Sequence, residues 1–178
     1  MIIMINGAFG VGKTTVSEEL SKKIPNSFIF DPEMVGFMLN HMLPSELKKR
    51  ESPSGDFQDF LLWKNLVVKT AEGLVETYGY HLIVPMTIRK PDYFEYIRSG
   101  FQKVSETHHY CLTATKETIF NRLRERGEDK GNWCFKQTQR CLDAYETYDF
   151  STYIDTNGSQ VEQVVEQILQ QIHFTTEV

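Results

Sequence analysis

The first fifteen residues, M-I-I-M-I-N-G-A-F-G-V-G-K-T-T from Met1 to Thr15, decide the fold. Ile2 to Ile5 is an apolar run of strand length, the pattern of a strand buried on both faces. Gly7, Gly12, Lys13 and Thr14 then satisfy G-x-x-x-x-G-K followed by Thr or Ser, and apolar residues at helical spacing continue from Val11 to Ile24. Strand, glycine loop and helix are the context a phosphate-binding loop needs. The loop turns successive backbone N–H groups toward one point, and the helix behind it aims its positive end there. Gly7, Ala8, Phe9, Gly10, Val11, Gly12, Lys13, Thr14 and Thr15 are therefore expected to cradle a nucleotide's phosphates. Lys13 is placed to reach the β- and γ-phosphates and to act in transfer, with the Thr14 hydroxyl as the protein ligand of Mg²⁺.

Working outward, short strands are expected at Ser27–Phe30, His81–Val84, Thr107–Leu112 and Thr152–Asp155. Between them lie helical patterns. Asp31-Pro32-Glu33 opens one helix, with Asp31 as N-cap and Pro32 at the first helical position. Lys48 to Gly55 is charged and ends in Pro53 and Gly55, which reads as a mobile connection, and Asp56 to Tyr78 reads as one long helix stopped by Gly79. Asp92 to Gly100 is a short helix. Thr115 precedes a helix whose last turns carry Arg122, Arg124 and Arg126. Gly127 to Trp133 is polar and glycine-containing and reads as a lid, about residues 127–134, before a helix from Phe135 to Tyr148. Val161 to Ile172 forms a closing amphipathic helix. Its narrow stripe lacks basic residues and suits packing on a sheet, with peripheral membrane contact as the alternative.

Strands alternating with helices specify an α/β three-layer fold: a five-stranded parallel sheet with helices on both faces, in a single domain spanning 1–178. Such sheets bind ligands beyond the carboxyl ends of their strands. That edge gathers Gly7, Asp31, Thr87, Thr113 and Thr156. Asp31 is a base that receives the acceptor's proton, a magnesium contact through water, or the cap of the following helix, and base and cap are compatible if one oxygen serves each. No carboxylate ends the third strand, so Thr87 and Arg89 are the acceptor-binding candidates there, against a reading as plain loop residues. Arg126 and Arg140 flank the lid and can spread charge during transfer, or simply be solvated arginines at a helix end. Arg122, one turn before Arg126, is placed to lie against adenine. Phe57, Phe60 and Trp63 suit a core better than an acceptor pocket.

Composition bounds the function. The chain has 178 residues with formal charge −5. A non-specific nucleic-acid binder is expected to be basic, so that class is disfavoured. Cys111, Cys134 and Cys141 form no C-x-x-C and read as reduced thiols of a cytoplasmic protein, with Cys111 as a core residue. His41, His81, His108, His109 and His173 show no metal-ligand spacing, and no N-K-x-D motif for reading guanine occurs.

Several further stretches carry a family resemblance: I-N-G-A-F-G-V-G-K-T at Ile5–Thr14, D-P-E at Asp31–Glu33, L-I-V-P-M-T-I at Leu82–Ile88, K-E-T-I-F-N-R-L-R-E-R at Lys116–Arg126 and W-C-F-K-Q at Trp133–Gln137. Together they resemble the bacterial tunicamycin-resistance protein family, over nearly the whole chain. The resemblance implies a nucleoside-monophosphate-kinase-like fold, ATP binding and resistance to a uridine-containing nucleoside antibiotic. It places Gly7 to Thr15 on the phosphates and makes Asp31 and Arg126 participants in transfer. The third strand departs from the D-G-x-P-R pattern of nucleoside monophosphate kinases, which favours an uncharged hydroxyl as acceptor. The expectation is an ATP- and Mg²⁺-dependent phosphotransferase acting on a nucleoside-like small molecule, with a non-catalytic, ATP-dependent antibiotic-binding protein as the alternative.

Overall fold

A computed structural model describes residues 1–172; His173 lies outside them. Five parallel strands form one sheet in the order β2-β3-β1-β4-β5: β1 (Ile2–Gly7), β2 (Ser27–Ile29), β3 (His81–Met86), β4 (Thr107–Thr113) and β5 (Tyr153–Asp155). β1 is central. Its side chains alternate between the faces, so Ile3 and Ile5 enter one core while Ile2 and Met4 enter the other. All four are fully buried, worth about 1.5–3 kcal/mol each.

The core on the Ile3 side is closed by α1 (Lys13–Lys23), α6 (Lys116–Glu125), α7 (Trp133–Thr147) and α8 (Val161–Gln171). α8 buries Val164, Val165 and Ile168 in that core, so its apolar stripe packs inside the protein. The Ile2 side is closed by α2 (Pro32–Met42), α4 (Trp63–Tyr78) and α5 (Pro91–Val104). No helix among the described residues is long and apolar enough to cross a membrane.

Four local expectations are corrected. Lys48–Gly55 is not simply a connection: α3 (Ser45–Glu51) covers its first half. Its Leu, Lys, Arg and Glu residues are good helix formers. Glu46 in the first turn and Lys48, Lys49 and Arg50 in the last complement the helix dipole. The long helix from Asp56 is broken. Asp56 caps a 3-10 turn (Phe57–Asp59) by accepting from Gln58 N–H at 3.0 Å, and α4 starts only at Trp63. Packing imposes the break, because the Phe57 ring lies directly over Gly36 of α2.

β3 continues through Pro85 to Met86 rather than ending at Val84. The His81 N–H donates to Asn26 O and the Leu82 N–H to Met1 O, so odd-numbered amides of β3 point toward β2. β2 ends before Pro85, and the missing N–H therefore removes no ladder bond. α5 runs past Gly100, where a side chain would meet Val68 of α4 at 2.6 Å. Gly100 is there for close helix packing and does not stop the helix. Gly79, by contrast, ends α4 as expected, with φ +67°.

Candidate functional site

The loop after β1 is a phosphate cradle. Gly12 sits at φ +111°, and a Cβ built on it would meet nothing within 4 Å. The first N–H groups of α1 have no intrahelical acceptor. Thr14 and Thr15 are exposed on that first turn. The residues therefore fit a nucleotide's phosphates, and Thr14 can offer its hydroxyl to Mg²⁺. The Lys13 ammonium donates to Ala8 O at 2.9 Å and lies 5.4 Å from the centre of the Phe9 ring. Burial lowers its pKa to about 8. A triphosphate would supply the charge this ammonium lacks.

The loop is braced from behind. Thr138 on α7 donates to Phe9 O at 3.1 Å. Arg122 donates to Val11 O at 3.0 Å and to both Thr156 Oγ1 and Thr156 O, at 3.0 and 2.8 Å. Arg122 thus ties the loop to the segment after β5. Its guanidinium is engaged in that brace, and its place against adenine remains an expectation.

Two adjoining cavities open beyond the strand ends. The first, about 230 Å³, is bounded by the loop with Lys13 and Thr14 and by Asp31, Glu33, Thr87 and Arg126. The second, about 320 Å³, has an aromatic wall of Phe9, Phe37, Phe57 and Trp133 and a polar one that includes Glu33, Asp56, Thr87 and Arg89. Phe9, Glu33 and Thr87 line both.

Asp31 caps α2, its Oδ1 accepting from Glu33 N–H at 2.9 Å. Thr87 is held by Gln58, which donates to its backbone oxygen at 2.9 Å, and its own hydroxyl is buried without a hydrogen-bond partner. Arg89 lies 3.7 Å from Asp56. Thr87 and Arg89 are presented here because buried Asn6, at the end of β1, exchanges both backbone bonds of Ile88 at 3.1 and 2.8 Å. Burial raises the Glu33 carboxyl above its ordinary range, Asp31's charge adds to this, and Lys13 opposes it.

The structure therefore gathers Lys13, Thr14, Asp31, Thr87, Arg89 and Arg126 around two connected spaces. Arg140 stands apart: it is exposed on α7 and lines neither cavity. Phe60 and Trp63 are core residues, as sequence favoured, whereas Phe57 lines the second cavity. Gly127 to Asn132 links α6 to α7, and Asn132 caps α7 by accepting from Phe135 N–H at 3.3 Å. Trp133, the first residue of α7, packs edge-on against Phe9 at 5.2 Å.

Sequence reasoning missed Glu33, Asn6, Gln58 and Thr138. Glu33 looked like an ordinary acidic first-turn residue. Asn6 was the detectable one, as a polar residue ending a strand buried on both faces.

No curated protein matches the chain significantly. The family model of the AAA domain matches residues 3–141. Among solved structures, the tunicamycin resistance protein of Deinococcus radiodurans is 32% identical, with TM-score 0.78 over 98% of this chain and 96% of that one. An unliganded sugar kinase from Janibacter sp. HTCC2649 is 17% identical, with TM-score 0.69 over 95% and 92%. Shikimate kinase from Acinetobacter baumannii, in complex with shikimate, is 17% identical, with TM-score 0.62 over 96% and 91%. The last two share the fold. The first shares the sequence as well, over nearly the full length of both chains, and with the phosphate loop in place it settles the kinship: the chain belongs to the tunicamycin-resistance protein family of P-loop NTPases.

Proposed function

We propose that the protein is an ATP- and Mg²⁺-dependent phosphotransferase that acts on a hydroxyl of a nucleoside-like molecule. Tunicamycin is the acceptor that its relative's name suggests. One observation carries this reading: the phosphate cavity and the aromatic cavity share the wall Phe9, Glu33 and Thr87. A γ-phosphoryl group in one then faces a hydroxyl held in the other, which is the proximity that transfer requires.

The lining also suits an uncharged acceptor. Glu33 and Asp56 face the aromatic cavity, and Arg89 lies beside Asp56. That wall offers no surplus positive charge to a phosphate monoester. The four aromatic rings suit the flat face of a base.

In this reading Lys13 and Arg126 stabilise charge on the transferring group. Thr14 would hold Mg²⁺, which would supply further neutralisation of phosphate charge. Asp31 keeps one oxygen on the α2 cap and turns its remaining capacity to the phosphate cavity. Arg140 would need the 127–134 segment to close before it acted.

The test is incubation with ATP, Mg²⁺ and tunicamycin, followed by mass analysis. Tunicamycin heavier by one phosphoryl group, with ADP formed in step, is the expected product. Unmodified tunicamycin that stays bound in the presence of ATP would overturn phosphotransfer and support the sequestering alternative.

A further inference from the structure

We propose that Glu33 is the residue that takes the acceptor's proton and that the Thr87 hydroxyl holds the acceptor oxygen beside it. The inference rests on the phosphotransferase reading above.

Three carboxylates surround the two cavities, and their positions separate them. Asp31 lines only the phosphate cavity, with Oδ1 occupied by the Glu33 N–H. Asp56 lines only the aromatic cavity, and it is engaged by Gln58 N–H at 3.0 Å and by Arg89 at 3.7 Å. Glu33 alone borders both, and among the described residues no hydrogen bond or ion pair reaches its carboxylate. A proton acceptor for transfer must stand where hydroxyl and γ-phosphate meet, with an oxygen free to receive.

Thr87 is the independent second observation. It too lines both cavities, and its Oγ1 is buried with no partner. Buried polar atoms are nearly always paired, and a turn of the Thr87 side chain toward the cavity it lines would give this orphan hydroxyl a ligand atom as its partner. A hydroxyl both donates and accepts. Thr87 can therefore donate to the acceptor's oxygen while Glu33 receives its proton.

The charged groups that share the two cavities with Glu33 are Lys13, Asp31, Asp56, Arg89 and Arg126; Asp31 and Asp56 disfavour its ionised form and Lys13 favours it. Burial is the larger influence, and the carboxyl is held above its ordinary range. A carboxylate so placed is a stronger base than an exposed one.

The step balances without another reactant. The acceptor oxygen bonds to the γ-phosphorus while the bond from that phosphorus to the β,γ-bridging oxygen breaks. The bridging oxygen leaves with ADP. The hydroxyl proton passes to Glu33 and then to solvent.

The experiment compares the parent with Glu33→Gln, Asp31→Asn and Thr87→Val. Transfer to tunicamycin and ATP hydrolysis, in which water is the acceptor, are each followed from pH 5 to 9. Glu33→Gln should lose on the order of 10²-fold or more in both rates, bind ATP within about threefold of the parent, and lose the acid limb of the pH profile. Asp31→Asn should retain that limb at whatever rate it shows. Thr87→Val should raise the tunicamycin KM about tenfold or more while ATP affinity is kept. Thermal unfolding checks the fold: a carboxyl whose pKa is raised by folding is more stable neutral, so Glu33→Gln should melt no lower than the parent.

Near-parental rates with an intact acid limb in Glu33→Gln would overturn the inference and leave phosphotransfer standing. So would loss of the limb in Asp31→Asn instead. A parent that phosphorylates neither tunicamycin nor water would overturn the phosphotransferase reading, and this inference with it.

Discussion

Replacing Lys13 with Met should uncover how much the phosphate loop costs the ligand-free protein. Burial, with a smaller contribution from the Arg126 charge, lowers the Lys13 ammonium from 10.5 to about 8. At roughly 1.4 kcal/mol per tenfold change in proton affinity, that fall is about 3.5 kcal/mol at most. The side chain keeps some contact with water, so screening brings the figure nearer to about 1.5–2 kcal/mol. Against it stands the bond from Nζ to Ala8 O, worth about 1.5 kcal/mol for a charged donor. At pH 7 the two nearly cancel, and Lys13→Met should be as stable as the parent or slightly more stable.

The pH dependence is the sharper readout. Between about pH 8 and 10.5 the unfolded chain holds the Lys13 proton and the folded chain does not, so stability from this group rises with pH. Cys111, pushed up to about 12, and Cys141, pushed up to about 11, act in the opposite direction above the usual thiol range. Both thiols are present in the two proteins, but the Lys13 charge lowers each of them, so Lys13→Met raises them further and their contribution cancels only in part. From pH 7 to 10.5 the parent should gain about 1.5–3 kcal/mol relative to Lys13→Met, read by denaturant titration, or roughly 3–12 °C in Tm for a domain of this size. A gap that stays constant within about 0.5 kcal/mol across that range would refute a desolvated Lys13. At pH 9, above the lowered Lys13 value of about 8, ATP binding should be accompanied by net proton uptake, measurable by calorimetry in two buffers.

Gly36→Ala places a methyl 2.2 Å from the Phe57 ring; denaturant titration should show a loss of about 1–3 kcal/mol, with tunicamycin binding weakened and ATP binding kept. Arg122→Ala releases Val11 O and Thr156 from their shared brace, and equilibrium titration should show ATP affinity falling by about tenfold, since the loop must then be ordered by the ligand. Trp133 fluorescence should change when an ATP analogue with Mg²⁺ displaces Lys13 from Ala8 and disturbs Phe9; an unchanged spectrum at saturation, confirmed by calorimetry, would show that the Phe9–Trp133 contact is insensitive to nucleotide.

What the sequence disclosed depended on whether one local rule settled the matter. The glycine loop, the Asp31-Pro32 helix start and the Gly79 stop are local devices, and each stands where it was read. The two cores follow from the apolar run Ile2 to Ile5, whose side chains enter opposite faces, and from the helical stripes around it. The errors arose where a distant partner decided. Phe57 leaves the helical pattern because Gly36 receives its ring, Gly100 stays inside a helix because Val68 needs the space, and Pro85 is tolerated because β2 is short. Glu33 was read only as part of a helix start, because nothing in D-P-E shows that its carboxylate borders two cavities. The role of Arg122 was equally hidden, since Thr156, its partner, lies 34 residues away.

Phe9 explains why the two cavities act as one site. Its backbone oxygen is held by Thr138, its ring carries the Lys13 ammonium on one side and meets Trp133 edge-on, and it lines both spaces. Trp133, Gln137, Thr138 and Cys141 all belong to α7, and all but Thr138 face the aromatic cavity. One helix therefore braces the phosphate loop and walls the acceptor space. Drawing Lys13 from Ala8 O onto a γ-phosphate removes the ammonium from its place by the ring, and the ring cannot resettle without altering its contact with Trp133. On the proposed reading, the aromatic wall should thereby sense whether nucleotide is bound, with Glu33 and Thr87 at the seam. This coupling needs no large domain movement; it follows from an aromatic residue placed inside the phosphate loop itself.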